Sequence, residues 1–222
     1  MRKSLLSASI LAMALAAPFA HAYQAGDIIL RAGAATVDPQ EDSSALELNG
    51  ATLGGQATVD SNTQLGLTGT FMLTDNLGIG LLAATPFEHE VGLKGLGGLD
   101  GKLADIKHLP PTLTLQYFPL QGSSRLQPYV GAGINYTTFF EEDLTSEREA
   151  QGFSNLELDD SWGLALEAGM DYMLTDNLLL NASVWYLDID TTATTDLAGA
   201  GQVKVDVDID PFVYMVGLGY KF

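Results

Sequence analysis

The chain contains no cysteine, which excludes a disulfide framework and any thiolate metal centre. Basic residues are scarce, with Lys and Arg totalling 10 against 28 Asp and Glu for a formal net charge of −18. Too little positive charge remains to neutralise phosphates, so a nucleic-acid partner is excluded. Histidine occurs three times, as His21, His89 and His108. There is no Walker loop, no Gly-x-Ser-x-Gly and no zinc-ligand spacing, so neither an enzyme nor a bound cofactor or metal is expected. Glu88 and Glu90 flank His89, but consecutive strand residues point to opposite faces. The triplet reads as a solvated acidic loop patch or a casual metal contact.

Also missing, after the first residues, is any apolar run of the roughly 20 residues that a spanning helix needs. The start itself reads as a secretory signal. Arg2 and Lys3 precede an apolar stretch from Leu5 to Ala17, and Ala20-His21-Ala22 has the small-x-small form cut by a signal peptidase. Residues 1–22 are therefore expected to be cleaved, with residues 23–222 forming one domain. Cleavage removes two basic and no acidic residues, leaving 8 against 28 and a net charge of −20.

What the chain does have is alternation. In 160–174, Trp162, Leu164, Leu166, Ala168, Met170 and Tyr172 occupy one face, and Ser161, Gly163, Ala165, Glu167, Gly169 and Asp171 the other. The end repeats this, with Phe212, Tyr214, Val216, Leu218, Tyr220 and Phe222 against Val213, Met215, Gly217, Gly219 and Lys221. The same pattern marks strands near 27–37, 63–74, 77–88, 107–118, 127–140 and 178–190. Each suits the roughly 9–11 residues of a membrane strand with aromatic ends. A soluble sandwich would carry charges on its outward faces, and these faces nearly lack them. The fold expected is all-β, an eight-stranded antiparallel transmembrane barrel. Short turns at 74–76, 121–124 and 175–177 belong to the periplasm, and long connections near 38–62, 89–106, 141–159 and 191–204 to the outside.

Three groups of residues are candidates for function. Val203, Val205, Val207, Ile209, Pro211, Val213 and Met215 share one face, with Asp206, Asp208 and Asp210 on the other. If Phe212 marks the outer lipid boundary, this apolar face lines a mouth above it, joined by Phe139, Trp185, Leu187 and Ile189. A dry, packed upper barrel is the alternative. The second group is Pro86 with Pro110 and Pro111, near the outer ends of adjacent strands. Missing N–H groups there leave either a lateral opening or an ordinary end to the ladder. The third is a lower-lumen charge cluster of Arg31, Glu167 and Asp171, extended to Lys221 and His108, which obstructs the lower half or braces it.

The runs His108-Leu109-Pro110-Pro111-Thr112-Leu113 and Gln127-Pro128-Tyr129-Val130-Gly131-Ala132-Gly133-Ile134-Asn135-Tyr136, the piece Asp160-Ser161-Trp162-Gly163 and the ending Tyr220-Lys221-Phe222 resemble the OmpW family of Gram-negative outer-membrane proteins. The resemblance spans residues 23–222 and is closest to the pseudomonad members. It implies an eight-stranded barrel with a hydrophobic lumen that takes up small hydrophobic solutes and releases them sideways into the membrane. A structural or surface-interaction barrel with a packed lumen is the other reading. The partners expected are outer-membrane lipids and lipopolysaccharide, a small hydrophobic solute, and phage or bacteriocins at the loops, with the barrel a monomer.

Overall fold

The computed structural model describes residues 23–120 and 124–222. The expected signal segment lies outside the described residues, as does most of the 121–124 turn. In chain order the strands are β1 (Ile28–Asp38), β2 (Asp42–Ser43), β3 (Leu46–Leu48), β4 (Ala51–Gly54), β5 (Gln56–Val59), β6 (Asn62–Met72), β7 (Leu77–Ala84), β8 (Phe87–Lys94) and β9 (Gly101–Leu109). They continue as β10 (Thr112–Tyr117), β11 (Leu126–Leu144), β12 (Phe153–Leu158), β13 (Ser161–Met173), β14 (Leu178–Leu187), β15 (Asp190–Leu197), β16 (Gly201–Asp208) and β17 (Phe212–Lys221). A short α-helix, α1 (Ser146–Ala150), precedes β12.

Eight of these close a barrel. The order β1, β6, β7, β10, β11, β13, β14, β17 returns to β1, with every pair antiparallel. Closure satisfies every edge, as hydrocarbon demands. Alternation decides which side chains meet lipid. Leu164, Leu166, Val216 and Leu218 are exposed, between Trp162, Phe212 and Tyr214 at one rim and Phe71, Tyr117, Tyr220 and Phe222 at the other. The two copies of Leu-Thr-Asp-Asn-Leu make equivalent turns. The Thr74 hydroxyl accepts from Asn76 N–H and Leu77 N–H, and the Thr175 hydroxyl from Asn177 N–H and Leu178 N–H.

The segments expected as long loops contain a second β storey above the barrel. β5, β8, β9 and the outer half of β11 form one wall. The other wall is β12, β15, β16, β3 and β4, with β2 on β16. Three staves expected as continuous are broken where the storeys meet, between β7 and β8, β9 and β10, and β14 and β15. The reason is local chemistry. Pro86, Pro110 and Pro111 donate nothing to a ladder. Asp210 takes a left-handed φ of 39°, and its carboxylate accepts from Ile189 N–H (3.2 Å), spending a backbone donor that would have extended β14, and from the Tyr186 hydroxyl (3.0 Å).

Candidate functional site

The lumen is layered, and each layer follows from the inward residues at one depth. At the short-turn end, Tyr23, Ile29, Met72, Phe118, Met173 and Leu179 form a buried apolar plug. Such a plug excludes water from the groups above it.

Those groups form a polar girdle. Arg31 Nε donates to Asp171 Oδ1 at 2.9 Å and Nη2 to Asp171 Oδ2 at 2.5 Å, and both side chains are fully buried. Tyr23 Oη and Asn181 Nδ2 also donate to Asp171, at 2.5 and 2.8 Å. On the other side, Arg31 Nη1 donates to the Thr70 hydroxyl (2.8 Å), which donates to Gln116 Oε1 (2.8 Å). Gln116 Nε2 and the Thr114 hydroxyl then donate to Glu167, each at 2.8 Å. Arg31 also lies over the Tyr129 ring, 5.2 Å from its centroid. A buried charge is tolerated when its partners are as complete as this. Gly131 makes the space, because a Cβ there would sit 2.8 Å from Glu167 Oε2.

Of the five residues expected in this cluster, the structure joins Arg31 and Asp171 directly and Glu167 through Thr70 and Gln116. The other two are corrected. Lys221 is at the short-turn rim, 3.8 Å from Asp27, and His108 lies in the outer storey. Position along the strand decides both: Lys221 is the last residue of β17, and His108 is on β9, above the break that Pro110 and Pro111 impose. Tyr23, Thr70, Gln116 and Asn181 were missed. Their polarity on inward positions was the available signal.

Above the girdle the lumen is dry and filled. Trp185, Leu187, Val213 and Met215 pack here with Ala35, Leu82, Phe87 and Ala165, all buried. Higher still it opens. Phe139, Ile189, Val205, Val207, Ile209 and Pro211 line an apolar chamber with about 770 Å³ of empty space including its mouth, and no charged side chain lines it. The nine expected lumen residues thus divide by depth. Trp185, Leu187, Val213 and Met215 are in the packed layer, and Phe139, Ile189, Val205, Val207 and Ile209 are at the chamber.

Two histidines also line this chamber. Glu88, His89 and Glu90 belong to β8, not to a loop, so the carboxylates point outward and His89 inward, 4% exposed. His89 and His108 stack with ring centroids 4.9 Å apart, and His108 stacks on Phe87 at 5.5 Å. Burial lowers the pKa of His89, against an opposing hydrogen bond to the Asp60 carbonyl. Burial and the neighbouring His89 push His108 down to about 3. Both rings are neutral at pH 7.

Pro86, Pro110 and Pro111 flank an interruption of the wall. The β7–β10 ladder ends at Leu82 and Thr112, and the β8–β9 ladder begins at Phe87 and His108. Residues 83–86 and 109–111 face each other between them without a ladder pair. A small apolar cavity of about 240 Å³ lies here, lined by Leu82, Ala83, Ala84, Phe87 and Pro110 with Ala35 and Val213 of the lumen. Asn135 compensates from within: its Nδ2 donates to the carbonyls of Pro110 (3.2 Å) and Pro111 (3.4 Å) and to the Thr112 hydroxyl (2.9 Å).

Comparison with known proteins yields a family model described as the OmpW family, matching residues 24–222. Outer membrane protein W of Vibrio cholerae serotype O1 is 50% identical over 225 residues, covering 100% of both chains. The crystal structure of the outer membrane protein OprG from Pseudomonas aeruginosa has 60% identity and a TM-score of 0.88, covering 90% of this chain and 97% of that one. The dibenzothiophene metabolism operon protein PahQ of Pseudomonas aeruginosa is 30% identical over 183 residues, covering 81% of this chain and 82% of its own.

Proposed function

This chain belongs to the OmpW family of outer-membrane proteins, and we propose that it is a passive conduit for small hydrophobic molecules, which enter the apolar chamber from outside and leave sideways into the membrane. The observation that carries the proposal is the sequence of environments along the lumen. An uncharged chamber stands above a filled layer and a fully paired polar girdle, and the interrupted wall lies beside the chamber's base. An apolar solute gains by leaving water for such a chamber. Passage down the axis would require it to displace Trp185 and then the buried Arg31–Asp171 pair. A sideways step past Phe87 toward Pro110 leads instead into a small cavity lined by Leu82, Ala83, Ala84 and Val213. The relative PahQ is a dibenzothiophene metabolism operon protein, and dibenzothiophene is an apolar aromatic molecule, which agrees with cargo of this kind.

The filled layer favours a second reading, a structural or surface-interaction barrel that conducts nothing. Proteoliposomes separate the two. Uptake of a fluorescent apolar solute is compared for wild type, Val207→Trp, which fills the chamber, and the triple variant Pro86→Thr, Pro110→Thr, Pro111→Thr, which restores ladder donors. The conduit requires both variants to be slower than wild type. Uptake indistinguishable in all three and in protein-free liposomes would leave only the structural reading.

A further inference from the structure

The chamber is apolar with one exception, and that exception is a polar feature without a partner. Four side chains with polar atoms line it: Thr137, Thr191, His89 and His108. The threonines are already satisfied. The Thr137 hydroxyl donates to Asn135 Oδ1 at 2.7 Å and the Thr191 hydroxyl to the Asp159 carbonyl at 2.7 Å. His89 is half satisfied. Its Nδ1 contacts the Asp60 carbonyl, which fixes the proton on Nδ1 and leaves Nε2 a bare acceptor. That Nε2 is buried with no hydrogen-bond partner among the described residues. His108, 7% exposed, makes ring contacts with Phe87, His89 and Phe139 and no hydrogen bond among the described residues.

A buried acceptor without a donor carries a free-energy cost, and a native protein seldom bears one without a use. We propose that the His89–His108 pair is a polar subsite for the head group of an amphiphile: a neutral molecule with an apolar chain or ring and a single hydroxyl, an alcohol or a phenol. The hydroxyl donates to His89 Nε2, while the apolar remainder lies against Phe139, Ile189, Val205 and Val207. Charge is selected against on two counts. The chamber lining offers no cation to pair with a carboxylate, and both rings are neutral acceptor-donor groups at pH 7. The rings of His108 and Phe139, which line the chamber with His89, put aromatic surface beside the acceptor.

This inference rests on the conduit reading for its cargo and deepens it by naming a class. The test keeps the two apart. The described chain has two histidines, so protein labelled with ¹⁵N-histidine in lipid nanodiscs gives two ring systems, assigned with His89→Phe and His108→Phe. At pH 7.5, titration with 1-octanol is expected to move the His89 Nε2 resonance in the direction of an accepted hydrogen bond, and n-octane to leave it in place. His89→Phe should weaken octanol binding by about fivefold, the weight of one neutral hydrogen bond, and leave octane binding unchanged. If octanol binds in the chamber without moving Nε2, or if both solutes weaken alike in His89→Phe, the subsite is wrong whatever the uptake assay gives. If Nε2 responds but no solute crosses proteoliposome membranes, the subsite stands and the conduit falls. The wild-type titration decides even if the substituted proteins fold poorly.

Discussion

Arg31 on β1 and Asp171 on β13 meet across the lumen through a two-point contact, with both side chains wholly excluded from solvent. Breaking such a pair from one side leaves an uncompensated buried charge, which costs about 3–5 kcal/mol. Asp171→Asn is therefore expected to lower the urea midpoint of the reversibly folded barrel sharply, and Arg31→Met to lower it less, since the carboxylate keeps donors from Tyr23 and Asn181. Replacing both together should recover part of the loss. Urea titration followed by tryptophan fluorescence and the folded gel band measures all three, and equal midpoints for Asp171→Asn and wild type would show that the pair contributes nothing.

Asn135 holds the wall where the prolines interrupt it. The Pro110 carbonyl accepts from Asn135 Nδ2, as does the Thr112 hydroxyl, so Asn135→Val strands buried acceptors. The expected loss is about 1–3 kcal/mol. Heat-modifiability on gels should show a lower melting temperature for Asn135→Val than for wild type. An Asn135→Val barrel as heat-resistant as wild type would remove Asn135 from any role at the seam.

Much of the barrel is legible because membrane strands write both faces into the sequence. The alternation at 160–174 names lipid and lumen residues one by one, and the girdle pair Arg31–Asp171 is findable because charge on an inward position needs a partner. The outer storey is less legible for a physical reason. β8 and β15 stand in water outside and against an apolar chamber inside, so Glu88-His89-Glu90 and Thr191-Thr192-Ala193 look like polar loops when read by composition. Read by alternation, His89 falls inward with Phe87 and Val91. His108 was misplaced in depth because Pro110 and Pro111 break the stave, and residue spacing alone does not measure height across a break. Asn135 carries no signal of its own, since its partners are carbonyls freed by prolines 25 positions earlier in the chain.

Phe87 separates the chamber from the cavity at the seam. It is 1% exposed, stacks on the chamber-lining His108 and lines the seam cavity with Pro110. Phe87→Ala should join the two spaces. The cost in stability is about 3 kcal/mol or more, as for other buried Phe→Ala changes. If solutes leave sideways, uptake of an apolar solute should become faster despite that cost. Slower uptake, or an unchanged rate with the protein folded, would move the exit away from this partition.

The two chamber histidines give the outer storey a pH dependence whose sign is fixed by burial. Both have folded-state pKa values below the ordinary 6.5, with His108 at about 3. The unfolded chain therefore binds protons that the folded chain does not as pH falls through 6.5. Stability from keeping the rings neutral is fully present above 6.5 and is lost progressively toward pH 3. For His108 alone the loss between pH 7 and pH 5 is about 2 kcal/mol, a window above the range where most carboxylates titrate. Thermal midpoints of the outer storey at pH 7.5 and pH 5, followed by amide exchange in β8 and β9, should drop more for wild type than for His108→Phe, which cannot take up the proton. An equal drop in the two proteins would mean that His108 is hydrated in the folded state and that the chamber is wet.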